Sequence, residues 1–459
     1  MMWRTGTTAL GLCAGLSLAT CGLVFLGLPA HAQAQAPLHQ RPVRPRLLPS
    51  SFPPQPTVAP SWSIPVDPLG FSPPGPLYLG ARNSLASLDF IGENKLLFTF
   101  RVPGLLHRDP ANGNSSDERQ IRAVLLDLPQ GTVEAETVWT LHDRTRYLWM
   151  LNDGHFLFRD RNNLMVGDAS LVLKPFLQFP GPLLSVSLDP TQQYIVTNSH
   201  EPAKTIAEPG QVPSPSTASA SMTTSQGTAS QGTANQGDQP DPSDADASPD
   251  TVVRILRRDS GKVLLVSRTR STVELPINAD GYVEDLRGQG WNWALNLSFF
   301  EGGTKTLGSV ESHCDPSEDF ISQKEILVTA CAIDGTETIV AMTTAGRSLW
   351  ADQTPTVAIW PEVAMAPGGQ RIARETLGVT HPVNTYAPID PDDIKGQWVT
   401  VYEAATGDVA LETPASPALD SGGNVAISPS GRRVAVLNAG AIQVFELPAP
   451  PPLSESAGQ

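Results

Sequence analysis

Apolar and polar positions along this chain alternate over short stretches. From about Leu77 onward, runs of Val, Ile, Leu and Phe a few residues long are bounded by Gly, Pro, Asn and Asp. That texture predicts many short β-strands joined by tight turns. Apolar spacing rarely holds the helical period for more than two turns, so long helices are not expected.

The strands recur in two kinds of hairpin. The first kind is "VSLDPTQQYIVTN" (186–198), "VAMAPGGQRIARE" (363–375) and "VAISPSGRRVAVLN" (425–438). Each places a proline (Pro190, Pro367, Pro429) where a turn wants its φ pre-set, and two of them follow it with Gly369 or Gly431. Looser copies begin at Leu88, Leu148 and Glu318. The second kind has a glycine-closed turn: "IRAVLLDLPQGTVEAETV" from Ile121, "VVRILRRDSGKVLLVS" from Val252, "IVAMTTAGRSLW" from Ile339 and "WVTVYEAATGDVALET" from Trp398.

Two hairpins in alternation make four antiparallel strands, the blade of a β-propeller. The expected fold class is therefore all-β: a single β-propeller of six or seven four-stranded blades, seven preferred, spanning 76–447. Recognisable units fall near 84–141, 146–178, 183–270, 305–352, 358–413 and 424–447. The stretch "NADGYVEDLRGQGWNWALNLSFFEGG" (278–303) is left to complete a seventh. The last unit shows only three strands, and "GPLYLGARN" around Leu77 is the expected donor of the fourth.

One blade is interrupted. Residues 201–250, including "SQGTASQGTANQGDQ", hold almost no apolar residue larger than alanine and cannot offset their conformational entropy by burial. Hairpins of one blade flank them on both sides. They read as a disordered insert in a blade, not a linker between domains.

The N-terminus carries targeting information. Arg4 precedes an apolar run from about Ala9 to Leu28, then the small residues of "AHAQAQA". This is the pattern of a signal peptide, 1–32, with cleavage after Ala32 and rivals at Ala34 and Ala36. Retention of the run as an anchor, or lipidation at Cys21, is the competing reading. Residues 33–75 are proline-rich and expected to be a disordered tail, and 448–459 form a proline-rich C-terminal tail. The expected location is export to the periplasm or outside the cell. The mature chain keeps Cys314 and Cys331, expected as a disulfide in an exported protein.

Among 459 residues the formal net charge is −15, which disfavours nucleic acid as a partner. Enzyme signatures are scarce: there is no G-x-S-x-G elbow, no H-E-x-x-H, no phosphate loop and no C-x-x-C-H. The group His313, Cys314, Asp315, Glu318 and Asp319 has metal-binding residue types, but its spacing matches no zinc or calcium pattern, and no metal is expected. Trp291 and Trp293, with Phe299 and Phe300, read either as a stacking platform or as inter-blade core, the core preferred. The polar loop from His381, with Asn384, Tyr386 and Asp392, reads as a binding loop or as solvated surface.

The segments "SPSGRRVAVLN", "APGGQRIARE" and "VTVYEAATGDVALET" resemble the repeats of bacterial WD-repeat-like, YVTN-like and quinoprotein-like propellers. The Trp-Asp and Gly-His pairs of true WD repeats are absent. The resemblance implies the fold and leaves function open among three readings. The preferred one is a non-catalytic exported module, a monomer, that binds a protein or a glycan without a cofactor. The second is a quinoprotein- or lactonase-type enzyme with an axial metal or cofactor. The third is an envelope assembly component like the propeller of the Tol system.

Overall fold

The computed structural model describes residues 54–74, 86–103, 107–108, 117–142, 146–201, 251–270, 272–354, 356–359, 362–382, 389–419 and 422–451. The signal peptide, the Leu77 strand, the body of the 201–250 insert, Asn384, Tyr386 and the last eight residues lie outside that set.

The chain is an all-β propeller of seven blades. Within each blade the strands run from an inner to an outer position in antiparallel order. Blade 1 is Ser87–Gly92, Lys95–Arg101, Asp117–Asp127 and Thr132–Leu141. Blade 2 is Leu148–Met150, His155–Asp160, Asn163–Asp168 and Lys174–Gln178. Blade 3 is Leu183–Leu188, Tyr194–His200, Thr251–Arg257 and Val263–Thr269. Blade 5 is Ser317–Phe320, Glu325–Cys331, Glu337–Thr343 and Ser348–Thr354. Blade 6 splits its inner strand into Ala358–Ile359 and Val363–Met365, followed by Arg371–Val379, Ile394–Glu403 and Val409–Ala415.

Blade 4 explains the stretch that fitted no repeat. Its ladder holds Gly281–Arg287, Asn292–Phe299 and Thr304–Glu311. Residues 273–278 take the inner position, with a bridge from Ile277 to Tyr282 and a bond from the Val283 amide to the Pro276 carbonyl at 2.9 Å. Pro276 has no N–H, so the inner strand cannot run as a full ladder. The unit read as 305–352 is corrected accordingly: Thr304–Glu311 is the outer strand of blade 4, and blade 5 starts at Ser317.

Blade 7 is Val425–Ile427, Arg433–Asn438 and Ala441–Glu446, and its outer strand is Trp62–Pro65, in register Trp62 to Val444 and Pro65 to Ala441. The closing strand thus comes from inside the stretch read as a proline-rich tail, which moves the start of the propeller well ahead of residue 76. An outer strand needs backbone donors on one side only, so a proline at its end is tolerated. The segment is a strap across three blades. The Thr57 amide bonds the Glu412 carbonyl of blade 6 at 2.9 Å, and the Ser61 amide bonds Val444 of blade 7 at 2.8 Å. Phe71 packs 5.2 Å from Phe98 and 5.5 Å from Phe100 of blade 1, centroid to centroid.

Each of the seven seams between neighbouring blades has its own apolar cluster. The seam between blades 7 and 1 draws on Ile64, Val66, Leu69 and Phe71 of the strap. Gly131, at φ 69°, turns blade 1 directly against Ile64, where a Cβ would stand 2.8 Å from the side chain.

The insert is confirmed in position and trimmed by a residue. His200 pairs with Thr251, so the flanking strands are neighbours in one blade. Glu201 is not part of the insert. It is fully buried and receives both terminal nitrogens of Arg254, at 2.6 and 2.8 Å. Its backbone carbonyl accepts from Arg268 at 3.1 Å. Replacing residues 204–248 with a short Gly-Ser linker should leave the melting temperature within about 3 °C, because closure entropy changes only logarithmically with loop length. Loss of a cooperative thermal transition, followed by near-ultraviolet circular dichroism, would show that the segment is structural.

Candidate functional site

Alternating strand direction sorts the connections onto two faces. Inner-to-second and third-to-outer turns emerge on one face and are short, such as 93–94, 151–154, 258–262 and 404–408. Second-to-third connections emerge on the other, together with the crossings between blades. Here lie the long excursions: 102–116 in blade 1, 201–250 in blade 3 and 380–393 in blade 6. This long-loop face is where sequence has been added without disturbing a ladder.

The axis carries charge. Asp89 is on the inner strand of blade 1, Arg146 precedes that of blade 2, and Glu274 is on the inner segment of blade 4. Asp319 is on the inner strand of blade 5, and Glu362 precedes that of blade 6. The Arg146 guanidinium approaches Glu362 Oε1 at 3.5 Å, and its Nε donates to the Leu148 carbonyl at 3.2 Å. Its charge also reaches Asp89 and Asp319, so one arginine from blade 2 acts on carboxyls of blades 1, 5 and 6 across the axis.

Arg146, Glu274 and Asp319 are exposed, while Asp89 and Glu362 are half-buried. Burial pushes Asp89 up to about 7; a hydrogen bond from Ser87 and the Arg146 charge oppose this, and Glu362 adds to it. Asp319 is pushed up to about 6 by its protein surroundings and by Glu274, against Arg146.

Two further acids lie in drier places. Glu318, 7% exposed, has no hydrogen-bond partner for Oε1. Burial, then the charges of Asp285, Asp319 and Glu274, push it up to about 8. Glu375 is fully buried; its Oε1 accepts from the amides of Gly423 (3.1 Å) and Asn424 (2.8 Å), and its Oε2 from Gln397 Nε2 (3.0 Å). Burial and then Glu362 still push it well above the usual carboxylate range. The two carboxyls converge on Gly422, φ 77°, where a Cβ would stand 2.6 Å from Glu362 Oε2 and 3.3 Å from Glu375 Oε2. Among the described residues no three His, Cys, Asp or Glu side chains are placed to hold a metal ion.

The sequence-derived aromatic group is divided. Trp293 is buried and donates Nε1 to the Ser312 carbonyl at 2.9 Å; Phe299 packs in the seam between blades 4 and 5. Phe300 lies 5.3 Å from Tyr194 in the seam between blades 3 and 4. Trp291 does not share the strand with Trp293. It sits in the preceding turn on the long-loop face, 44% exposed, because the strand begins at Asn292. Arg287 lies over both rings, 4.8 Å from Trp291 and 5.6 Å from Trp293, and the His313 ring packs tilted against Trp291 with centroids 4.5 Å apart. The His313 amide bonds the carbonyl of Cys331, which is disulfide-bonded to Cys314 with Cα atoms 5.5 Å apart. Two residues on, Ile333 is 83% exposed, and Leu286 beside Arg287 is 59% exposed.

His381 and Asp392 are on the 380–393 loop of blade 6, a full blade away from Trp291. His381 Nδ1 is 3.0 Å from Thr380 Oγ1 and 3.4 Å from Asp393, and the Asp392 amide bonds Asp390 Oδ1 at 3.0 Å. The axial residues were not singled out from the sequence as a channel group. They come from five blades, and no local spacing joins them.

No known family matches the sequence, and no curated protein matches it. Among solved structures the chain is similar to an acylaminoacyl peptidase of Pyrococcus horikoshii at 8% identity and TM-score 0.43, over 81% of this chain and 52% of that one. It thus spans about half the length of that peptidase. It is also similar to the β-propeller domain of the Trilobed protease of Pyrococcus furiosus, at 8% identity and TM-score 0.43, over 79% of this chain and 95% of that one. Sqt1 of Chaetomium thermophilum follows at 10% identity and TM-score 0.38, over 79% and 96%. At such identities neither family nor activity transfers.

The raised carboxyls set a pH dependence. An unfolded glutamate titrates near 4.3, so Glu318 contributes stability that is full below that pH and is lost as pH rises through about 8. The urea midpoint should be higher at pH 5 than at pH 8. Glu318→Gln should flatten this slope by up to about 1.4 kcal/mol per pH unit. A variant with the parent's slope would show that Glu318 ionises normally.

Proposed function

We propose that this chain is an exported, non-catalytic scaffold that binds a protein partner through the long-loop face of its propeller. The observation that carries the reading is the exposed ring of Trp291, held between the Arg287 guanidinium and the His313 imidazole next to the Cys314–Cys331 bridge. Trp and Arg dominate the energetics of protein interfaces, so an exposed tryptophan held by an arginine on the loop-bearing face is a candidate interface anchor. With a guanidinium and an imidazole both within 5 Å of its centroid, Trp291 leaves less open ring for a sugar, which favours protein over glycan.

Export is supported by the Arg4-led apolar run, the small residues around Ala32, and a cysteine pair of the kind that persists in oxidising compartments. The resemblance to bacterial exported propellers points the same way. For the enzyme alternative, a metal held by clustered axial carboxylates is the requirement. Here the axial carboxyls are dispersed around Arg146, which favours the scaffold reading.

A photo-crosslinking residue placed at 291 or 333, in the native host, should trap one and the same protein, and one placed at Ser260 on the short-turn face should not. Trp291→Ala should weaken that complex at least about 30-fold, the loss of an interface anchor, without changing the melting temperature. Equal trapping from both faces, or none from 291 and 333, contradicts the proposal.

A further inference from the structure

Arg287 ends the second strand of blade 4, directly across from Trp293. Its guanidinium lies over two indoles, 4.8 Å from Trp291 and 5.6 Å from Trp293. Both indoles belong to a braced platform. Trp293 Nε1 donates to the Ser312 carbonyl at 2.9 Å, and the Ser312 amide donates to the Trp291 carbonyl at 2.8 Å. Ser312 is fully buried, and its Oγ accepts from the Cys331 amide at 3.0 Å, which ties the platform to blade 5. A long, flexible cation is thus held on a rigid support, with part of its ordering entropy already spent before a ligand arrives.

What this guanidinium lacks is an acid. The chain has 46 Asp and Glu against 31 Lys and Arg, and several of its surface arginines find carboxylates. Arg122 meets Glu136 at 2.6 Å, Arg257 meets Asp259 at 2.9 Å, and Arg258 meets Asp153 at 3.0 Å. Arg287 is exposed, yet it forms no ion pair among the described residues. Stacking engages the face of a guanidinium and leaves its N–H edge for an acceptor.

The surroundings select which anion. Desolvation of an ion grows with the square of its charge, and phosphate groups are ordinarily met by clusters of arginines. Here one guanidinium offers one fork. Asp285, Glu311 and Asp315, each two residues from Arg287 or His313, are all acids. A single carboxylate matches one fork. The half-exposed Trp291 ring beside it suits an apolar neighbour of that carboxylate.

We propose that Arg287 binds the side-chain carboxylate of an aspartate or glutamate on the protein partner, while an adjacent apolar side chain of that partner rests on Trp291. This rests on the long-loop face being the docking face, and it names the chemistry that the face recognises.

The test uses the mature chain and a fluorescent peptide of three Glu-Leu-Gly repeats, followed by anisotropy at about 0.1 M salt, where exposed charges more than roughly 10 Å apart are screened. Peptides with glutamine or phosphoserine in place of glutamate are the comparisons. The glutamate peptide should bind and the glutamine peptide should not. Arg287→Gln should weaken binding at least about tenfold, or 1.4 kcal/mol. Arg287→Lys keeps a cation on the indoles but loses the fork, so it should weaken binding at least about fivefold, and it decides the matter if Arg287→Gln fails to fold. Lys262→Gln, on an exposed turn of the opposite face, should change binding less than about twofold. Equal binding of the glutamate and glutamine peptides overturns the proposal. So does parental affinity in Arg287→Lys, equal weakening by Arg287→Gln and Lys262→Gln, or a phosphoserine peptide that binds at least about tenfold tighter than the glutamate one. Crosslinks at 291 without binding of the glutamate peptide refute the carboxylate site alone. Arg287-dependent peptide binding without crosslinks refutes the docking face alone.

Discussion

A propeller depends on closure. Every blade packs on two neighbours, so a ring with one unpaired end exposes both a strand edge and an apolar seam. In this chain the burden falls on four residues, Trp62–Pro65, which complete blade 7 by pairing with Ala441–Val444. The strand alone is short, and what holds it is the strap around it. Thr57 ties it to blade 6, while Ile64, Val66, Leu69 and Phe71 fill the seam between blades 7 and 1. Fully burying four such side chains contributes roughly 6–12 kcal/mol, comparable to the whole stability of an ordinary domain. The N-terminal segment before the first blade is thus a structural part of the last one.

Closure also explains the division of labour between the faces. The ring is held by seams and ladders, and second and third strands stay paired whatever the length of the connections between them. These connections are free to lengthen, as they do in blades 1, 3 and 6. Blade 3 shows how sharply load and freedom are separated. Glu201 is buried against Arg254, and the inserted sequence begins at the very next residue. On the same face the Arg287–Trp291–His313 group stands exposed above a seam closed by Trp293. A rigid ring thus presents both an apolar anchor and a charged axial opening without either contributing to closure.

Much of the fold was legible because propeller blades repeat. The Pro-turn hairpins at Pro190, Pro367 and Pro429 and the glycine turns at Gly131, Gly261, Gly346 and Gly407 carry their geometry locally. What escaped the sequence was non-local or irregular. Pro276 removes a backbone donor and with it the ladder by which blade 4 would have been recognised. The closing strand "WSIP" is too short and too close to prolines to read as a strand, and its partner lies almost 400 residues away. The axial carboxyls are invisible for the same reason. Asp89 and Asp319 sit in unremarkable inner strands, and only the ring brings them to one arginine. Trp291 was noticed, but strand alternation misplaced it, since the strand starts one residue later.

Closure by the N-terminal strand is the central claim, and a register-specific crosslink tests it most directly. Ser63 and Gln443 are opposite one another in the closing pair, where Cα atoms across an antiparallel ladder stand about 4.5–5.5 Å apart, within disulfide range. The variant S63C/Q443C, oxidised and mapped by mass spectrometry of proteolytic peptides, is expected to form an intramolecular 63–443 bond in the monomer and to melt at a higher temperature than its reduced form. Thiols that stay free, or that link only between molecules, would contradict a ring closed by Trp62–Pro65.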